Sequence, residues 1–120
     1  MNICVLMGSM RKEGNTKTLL HPFIEELKDK KATVQYIWLY DKHIEPCRSC
    51  FDCQNIEGKA GCSISDEMND IYDAILEVDC IVFATPIYSW FCTAPMKVVI
   101  DRLFSMNKFY GNTKTKYGLW

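Results

Sequence analysis

The chain has 120 residues, of which 48% are hydrophobic and 24% are charged, and this composition excludes a wholly disordered chain. Fourteen basic and 15 acidic residues give a net charge of −1, so no basic surface favours nucleic acid or an anionic membrane. No apolar stretch approaches the roughly 18 residues that span a bilayer, and the N-terminus lacks the basic start of a signal peptide. These features predict one cytoplasmic domain with neither a nucleic-acid nor a membrane partner.

The predicted elements alternate between strands and helices, beginning with a strand over residues 2–7. This short apolar run ends at a glycine, which is typical of a strand buried on both faces. A helix follows, in which apolar side chains recur at helical spacing, and Pro22 is expected to kink it or to mark its first turn. Residues 33–39 are rich in β-branched and aromatic side chains and predict a second strand.

The later elements continue this alternation after a polar loop over residues 40–64. Ser65 and Asp66 are suitable N-caps for a second helix, and residues 79–85 predict a third strand buried on both faces. Thr93, followed by an early proline, marks the start of a third helix. Strands that alternate with helices imply an α/β fold with a parallel sheet and right-handed crossovers. In such a sheet, ligands bind at the carboxyl ends of the strands, where the strand order reverses.

The loop after the first strand, residues 8–16, combines the residue types that bind a phosphate group. A phosphate needs convergent N–H groups, hydroxyls and a cation, and a helix N-terminus adds a favourable dipole. Gly8 and Gly14 are expected to adopt the unusual backbone angles of an anion-binding nest, and Arg11 can form a bidentate contact. The loop has neither a Walker A nor a GxGxxG pattern, and the alternative interpretation is an ordinary capped turn with solvated basic side chains. The candidate phosphate-binding residues are Ser9, Arg11, Gly14, Asn15 and Thr16.

The loop after the third strand contains apolar and aromatic residues at a position where a ligand would bind. Such residues can form a wall for a planar ring, with backbone N–H groups reaching its polar edge. The alternative interpretation is a hydrophobic loop that packs on a neighbouring subunit. The candidate residues are Pro86, Ile87, Tyr88, Ser89 and Trp90.

Four segments of the chain resemble, in order, the NADPH-dependent FMN reductase group of flavodoxin-like proteins. They are GSMRKEGNT, PCRSCFDC, GCSISDEMNDIYDAI and TPIYSW…APMKVVIDR, and the match covers essentially residues 1–104. The resemblance implies a flavodoxin-like, doubly wound parallel sheet in which residues 86–90 line the ribityl chain and the isoalloxazine ring. It implies that the FMN phosphate is held by Ser9, Arg11, Asn15 and Thr16.

The same resemblance implies a chemistry. NAD(P)H gives a hydride to the flavin, and a small-molecule acceptor such as a quinone or free flavin then takes the electrons. No side chain needs to act as a nucleophile or an acid, so no catalytic residue is predicted. The net charge of −1 favours an enzyme over a strongly acidic electron carrier of the flavodoxin type. Asp101 and Arg102 belong to the matching segment and are interpreted as an exposed pair on the helix surface.

The seven cysteines divide into two groups. Their number is odd, and their share of the chain is below the roughly 8–10% that is typical of a disulfide scaffold. Cys4, Cys80 and Cys92 lie in apolar runs and are predicted to be small buried hydrophobic residues. The others fall in one polar loop, and such clustering in a reducing compartment indicates a metal, a cluster or redox chemistry. They are Cys47, Cys50, Cys53 and Cys62.

Three interpretations of the clustered cysteines stay open. Cys47, Cys50 and Cys53 have the close spacing of iron–sulfur ligation, and Cys62, after eight intervening residues, could complete a [4Fe-4S] site. This arrangement resembles the iron–sulfur flavoproteins, relatives with a compact cysteine motif in the same loop. Four thiolates could instead hold zinc in a non-catalytic metal-binding module, although paired CxxC ribbons are the usual arrangement. The favoured interpretation is no metal, because many similar flavin reductases have these cysteines without a cluster.

A flavodoxin-like sheet has five strands in the order 2-1-3-4-5, and this sequence predicts only three. We therefore expect a partial FMN-binding domain over residues 1–105, truncated after the third strand–helix unit, and a C-terminal tail over residues 106–120. The third strand would keep an unpaired edge, an arrangement prone to association. The prediction is a homodimer or higher homo-oligomer in which the tail packs across the interface, with the flavin near the contact. The tail residues concerned are Tyr110, Tyr117, Leu119 and Trp120.

Overall fold

The three predicted strands form one parallel sheet with the order β2-β1-β3. The computed structural model describes residues 1–56 and 60–107 of the chain. Strand β1 is Asn2–Met7, β2 is Thr33–Trp38 and β3 is Cys80–Ala84. Both edge strands pair in parallel with the central β1. This order is the first part of the flavodoxin-like sequence of strands, so the predicted fold is confirmed.

Within residues 1–56 and 60–107, three helices and three short 3₁₀ turns connect and follow the strands. Helix α1 is Asn15–Asp29, α2 is Met68–Leu76 and α3 is Ala94–Arg102. Within the described ranges, no helix is long and apolar enough to cross a bilayer. The 3₁₀ turns are Leu39–Asp41, Asp52–Asn55 and Leu103–Met106.

The sheet is covered on both faces, which is what the doubly wound fold requires. Side chains alternate along β1, so Ile3, Val5 and Met7 face the side on which α1 packs. Cys4 and Leu6 face the opposite side and pack with the apolar residues of α2 and α3. Because both faces of β1 are buried, its near-continuous apolar run is explained.

The structure excludes one alternative for Pro22 and contradicts one prediction for β3. Helix α1 already begins at Asn15, so Pro22 lies inside the helix and does not mark its first turn, and the alternative of a kink stays a prediction. Strand β3 is not buried on both faces, because Cys80 is exposed and Phe83 is 43% exposed. The reason is that β3 pairs with β1 on one side, and none of the described residues forms a strand along its other side. An edge position cannot be read from the composition of a single strand.

The end of the described chain remains attached to the core. Leu103 and Met106 are buried in the cluster formed by α2 and α3, and Ser105 beside them is also buried. The predicted interface residues Tyr110, Tyr117, Leu119 and Trp120 lie outside the described residues.

Candidate functional site

The two predicted cofactor loops begin side by side at the carboxyl edge of the sheet. Met7 at the end of β1 is opposite Ala84 at the end of β3. The N–H of Gly8 donates to the carbonyl of Ala84 at 2.8 Å, so the pairing continues one residue beyond the strand. Thr93, at the end of the second loop, donates through its hydroxyl to the carbonyl of Gly8 at 2.6 Å. The structure therefore joins residues that are 85 positions apart in the sequence into one edge.

Gly8 has a different role from the one predicted for it. Neither Gly8 nor Gly14 has a φ in the left-handed region, and Gly14 has extended backbone angles of −136° and 176°. A Cβ at Gly8 would instead lie 2.8 Å from the Oγ1 of Thr93 and 3.1 Å from the Cβ of Met96. The expectation of unusual backbone angles is wrong at both positions. Glycine is needed at position 8 because α3 approaches the backbone too closely for a side chain.

The first loop places a basic side chain beside the start of a helix. Gly14 is the N-cap of α1, and Asn15 and Thr16 begin the helix, which has no acidic residue in its first turn. Arg11 is exposed, and within the described parts of the chain its guanidinium has no hydrogen bond or ion pair. The hydroxyl of Ser9 is buried and donates to the carbonyl of Arg11 at 3.2 Å. A helix N-terminus and an unpaired guanidinium together suit an anion.

Trp38 supports this loop and was missed in the sequence analysis. It is the last residue of β2, and its Nε1–H donates to the carbonyl of Ser9 at 2.6 Å. The ammonium of Lys12 lies 4.2 Å from the centre of the indole ring and 3.9 Å from a carboxylate oxygen of Asp41. The available signal was the position of a tryptophan at the end of a strand that neighbours β1. The carboxyl ends of neighbouring parallel strands meet at one edge.

The second loop is a tight hairpin with an exposed tip. Tyr88 and Phe91 exchange backbone hydrogen bonds of 2.8 and 3.0 Å, leaving Ser89 and Trp90 as the two central residues. Both have positive φ, 47° and 71°, as in a type I′ turn, which usually contains glycine or asparagine. Left-handed angles at ordinary residues cost about 1–3 kcal/mol each. The side chain of Trp90 is 97% exposed, so no packing within the described chain offsets this cost.

The four clustered cysteines line a single cavity of about 600 Å³. Cys47 and Cys50 are exposed, Cys62 is half-buried and Cys53 is buried. Phe51, Ile64, Ile100 and Phe104 complete most of its apolar wall. The described residues that line the cavity include none from the two cofactor loops. The cysteine cavity is therefore separate from the two predicted cofactor loops.

The sulfur atoms of this cavity contact different neighbours. The Sγ of Cys62 accepts the N–H of Ile64 at 3.5 Å, and the Sγ of Cys50 lies 3.6 Å from the Oγ of Ser63. Among residues 1–56 and 60–107, no three histidine, cysteine or acidic side chains are placed to hold a metal ion. The thiols share a cavity without converging on one point.

The other three cysteines divide between the predicted environment and an unexpected one. Cys4 is buried as predicted, and burial raises the pKa of its thiol. Cys92 is half-buried, and Cys80 is exposed, so the prediction of burial is wrong for Cys80. It lies on the open edge strand β3, which explains the difference.

The family model described as NADPH-dependent FMN reductase matches residues 1–119. The chain belongs to this family. An iron–sulfur flavoprotein of Methanocaldococcus jannaschii is 32% identical over 102 residues, which are 85% of this chain and 51% of that protein. An iron–sulfur flavoprotein of Archaeoglobus fulgidus is 32% identical over 116 residues, 94% of this chain and 50% of that protein. The chain thus spans about half the length of the curated relatives it matches.

Solved structures agree with this family at the level of the fold. An NAD(P)H:quinone oxidoreductase from Methanothermobacter marburgensis has a TM-score of 0.76 and 20% sequence identity. The likeness covers 98% of this chain and 59% of that one. At this identity the comparison shows the flavodoxin-like fold alone. The family resemblance of the four sequence segments is confirmed.

In this member of the FMN reductase family, Arg102 is a buried residue and not part of an exposed pair. Its side chain is 1% exposed and forms a two-pronged ion pair with Asp66, at 2.8 Å from Nη1 and 3.0 Å from Nη2. Asp101 pairs instead with Lys97 on the helix surface. The interpretation as a surface pair is wrong because Arg102 follows Val99 by three positions and so shares its buried face.

The buried pair changes the pKa of both partners. Burial alone would raise the pKa of Asp66, but hydrogen bonds from Arg102 and from the N–H groups of Glu45 and Met68 outweigh it, and the pKa lies below its ordinary value. Burial alone would lower the pKa of Arg102, but the hydrogen bonds to Asp66 and the attraction of neighbouring groups, Asp66 among them, together outweigh it, and the pKa is raised. Both groups are therefore charged at neutral pH, and each charge stabilises the other.

Proposed function

We propose that this chain binds FMN at the carboxyl edge of its sheet and acts as an NAD(P)H-dependent oxidoreductase on a small electron acceptor. The observation that carries the proposal is the joining of the two predicted loops at Gly8, through Ala84 on one side and Thr93 on the other. Bound FMN would supply the redox chemistry, taking a hydride from the nicotinamide and passing the electrons to an acceptor such as a quinone.

The phosphate end of the proposed site rests on Arg11 and the start of α1. A guanidinium with no partner among the described residues can give both of its N–H edges to a phosphate. The first-turn N–H groups of Asn15 and Thr16 would add donors. Gly14, which precedes them and has no side chain, would let the phosphate come close to these groups. Ser9 would contribute mainly by shaping the loop, since its hydroxyl already donates to the carbonyl of Arg11.

The ring end of the proposed site rests on the exposed hairpin. Ile87, Tyr88 and Trp90 are exposed apolar or aromatic side chains, and Pro86 precedes them. A planar ring placed against them would remove apolar surface from water, which favours binding. The strained turn at Ser89 and Trp90 would hold the tip in position for this contact. In this proposal the protein binds, orients and shields, and no side chain acts as an acid or a nucleophile.

A visible absorption spectrum tests the FMN proposal. The purified chain is incubated with FMN, freed of unbound flavin on a desalting column, and scanned. We expect the two-banded yellow spectrum of a flavoprotein, which should bleach on anaerobic addition of NADPH and return with a quinone. Bovine albumin, carried through the same steps, controls for non-specific retention. A colourless chain after desalting would contradict FMN binding, whereas a yellow chain that NADPH fails to bleach would contradict the enzymatic part alone.

An iron–sulfur cluster in the cysteine cavity is a second candidate function. Four thiols line one cavity, and the two curated relatives named above are iron–sulfur flavoproteins. Because the thiols of the described residues are not arranged to hold a metal, Cys47 and Cys50 would have to turn inward from the surface. Anaerobic reconstitution with iron and sulfide should give a broad brown spectrum that Cys53→Ser abolishes and Cys80→Ser leaves unchanged. A reconstituted chain without that spectrum would contradict this candidate and favour zinc or free thiols.

We also propose that the protein is at least a homodimer. Support comes from two apolar surfaces, the hairpin tip and the open edge of β3 with Phe83. The expected tail begins at residue 106, but Met106 is buried in the core of its own protomer, so in this proposal the segment after Asn107 packs across the contact. Light scattering should give at least twice the monomer mass for the full chain and a lower mass for a chain ending at Asn107. A stable monomer that binds FMN equally well in both lengths would contradict this proposal.

A further inference from the structure

The guanidinium of Arg102 holds together the two ends of the cysteine loop, which is the segment over residues 46–63. The loop over residues 46–63 begins after Glu45 and ends before Ile64, and the backbone carbonyls of both flanking residues accept hydrogen bonds from Arg102. The bond from Nη1 to Glu45 is 2.7 Å, and the weaker one from Nη2 to Ile64 is 3.4 Å. A side chain on α3 thus holds together the two points where the loop starts and stops.

Asp66 completes this closure from the side of α2. Its Oδ2 accepts the N–H of Glu45 at 2.8 Å, and its Oδ1 accepts the N–H of Met68 at 3.1 Å. The carboxylate therefore ties the start of the loop to the first residue of α2 while it binds both prongs of Arg102. Arginine suits this position because its planar fork makes several hydrogen bonds in one fixed geometry, which an ammonium group cannot do.

The middle of the loop rests on the same end of α3. Phe51 contacts Phe104 edge to face, with ring centres 5.8 Å apart and planes at 88°. The amide of Gln54 donates to the carbonyl of Asn107 at 2.9 Å. Phe104 and Asn107 lie two and five residues after Arg102, so these supports of the middle of the loop come from the same short segment as the guanidinium. Cys53 lies between Phe51 and Gln54 and takes its position from both.

We propose that Arg102 and Asp66 are positioning residues for the thiols of the cysteine cavity. By closing the base of the loop they keep Cys53 buried and Cys62 half-buried in the cavity that the exposed Cys47 and Cys50 also line. The proposal bears on the same site as the second candidate function, but its test requires neither iron nor flavin. A failure of reconstitution or of FMN binding therefore leaves the test of positioning unaffected.

Alkylation rates of individual cysteines test this role. The reduced full chain is treated with iodoacetamide under native conditions, and the modification of each cysteine is followed by peptide mass spectrometry. In Arg102→Lys, which keeps the charge but not the fork, we expect Cys53 and Cys62 to react at least tenfold faster relative to Cys4. Asp66→Asn should give the same pattern. Cys4 is buried in the central strand and reports opening of the sheet as a whole.

The ratio to Cys4 separates positioning from a general loss of stability. A change that only destabilises the fold accelerates all buried cysteines together, because they then react through global unfolding. Ile71→Val removes one methyl group from a buried residue of α2 and is the matched control, for which the rate ratio of Cys53 to Cys4, both buried, should stay at its wild-type value. The proposal is overturned if Arg102→Lys leaves the alkylation rates of Cys53 and Cys62 relative to Cys4 unchanged. It is also overturned if Cys4 gains reactivity in step with Cys53 in both Arg102→Lys and Asp66→Asn.

Discussion

Two arginines at different sites of the molecule show how differently its two candidate sites are built. Arg11 is exposed, and none of the described residues pairs with it, whereas Arg102 is buried and hydrogen-bonded to a carboxylate and two backbone carbonyls. An unpaired surface cation can give its hydrogen bonds to a ligand, but a buried one must be satisfied by the protein itself. The predicted phosphate-binding loop thus keeps a cation available for a ligand. The guanidinium of Arg102 is held by the protein through Nη1 and Nη2, and among the described residues its Nε alone has no hydrogen-bond partner.

The strained backbone of the two regions follows the same division. Positive φ angles occur at Ser89 and Trp90 in the hairpin and at Ser49 and Phe51 in the cysteine loop. Phe51 packs against Phe104, so contacts within the chain offset its strain. Trp90 has almost no contact with the described chain. Strain that folding does not compensate is expected where a ligand or a second subunit supplies the missing contacts.

Removal of the buried cation should have the largest effect on stability. Arg102→Met leaves the buried carboxylate of Asp66 without its partner, and we expect a loss of about 3–5 kcal/mol in the free energy of unfolding, measured by urea titration. Lys97→Met is the matched control on the same helix, because it removes only an exposed pair and should cost less than about 1 kcal/mol. Equal losses in the two variants would contradict the contrast between a buried and an exposed ion pair.

Removal of the exposed cation should instead affect ligand affinity. Arg11→Ala should weaken FMN binding by about 1.5–3 kcal/mol, the contribution of a charge-assisted hydrogen bond, when measured by calorimetry. Riboflavin, which lacks the phosphate, should bind the variant and the wild type almost equally. Arg48→Ala in the cysteine cavity is the control and should change neither affinity. If Arg11→Ala weakens both ligands to the same extent, the arginine supports the loop and not the phosphate.

A methyl group at Gly8 should disturb the junction of the two cofactor loops. Gly8→Ala forces the new Cβ against the hydroxyl of Thr93, and overpacking of this kind costs about 1–3 kcal/mol of stability. At Gly61 the nearest atom to a new Cβ is 3.8 Å away, so Gly61→Ala should be nearly neutral. Thermal unfolding of both variants would check the difference. A Gly8→Ala chain as stable as Gly61→Ala would show that α3 can move away from the edge.

Acid should weaken the closure of the cysteine loop through Asp66. Its pKa is lowered in the folded chain, so the charged carboxylate contributes stability above the unfolded value of about 3.9, and this contribution is lost as the pH falls through the folded pKa. The wild type should therefore lose more stability between pH 6 and pH 3 than Asp66→Asn does, as followed by urea titration at each pH. Parallel pH profiles for the two proteins would show that other carboxylates dominate the acid response.

Relief of strain at the hairpin should have the smallest effect and the opposite sign. Trp90→Gly permits the left-handed backbone without strain, and the lost ring was almost fully exposed, so we expect a gain of about 1 kcal/mol in stability. Trp90→Ala removes the same ring but keeps the strain, and it should leave the melting temperature unchanged. Both variants should bind FMN more weakly. A glycine variant no more stable than the alanine variant would mean that the turn is not strained.

The sequence predicted those features that depend on neighbouring residues. Apolar runs and helical spacing were sufficient for the three strands and for the start of α3 after Thr93. The position of both cofactor loops at one edge followed from the rules of parallel sheets. The pairing of Arg102 with Asp66 was not predictable, because its partner lies 36 positions away and a charged residue at a helix end is usually solvated. The exposure of Cys80 depends on which strand forms the edge of the sheet, and the residues of β3 alone do not encode its position in the sheet.

Helix α3 connects the two sites and fixes how they are spaced. It begins after Thr93, which binds the carbonyl of Gly8, and ends at Arg102, which binds the base of the cysteine loop. A helix of 9 residues extends about 13 Å, and each residue turns the chain by about 100°. The helix therefore fixes both the distance between the two sites and the direction in which its side chains point at each of them. One residue inserted or deleted between its ends would rotate the guanidinium away from Asp66, so variation in this segment should be confined to substitutions.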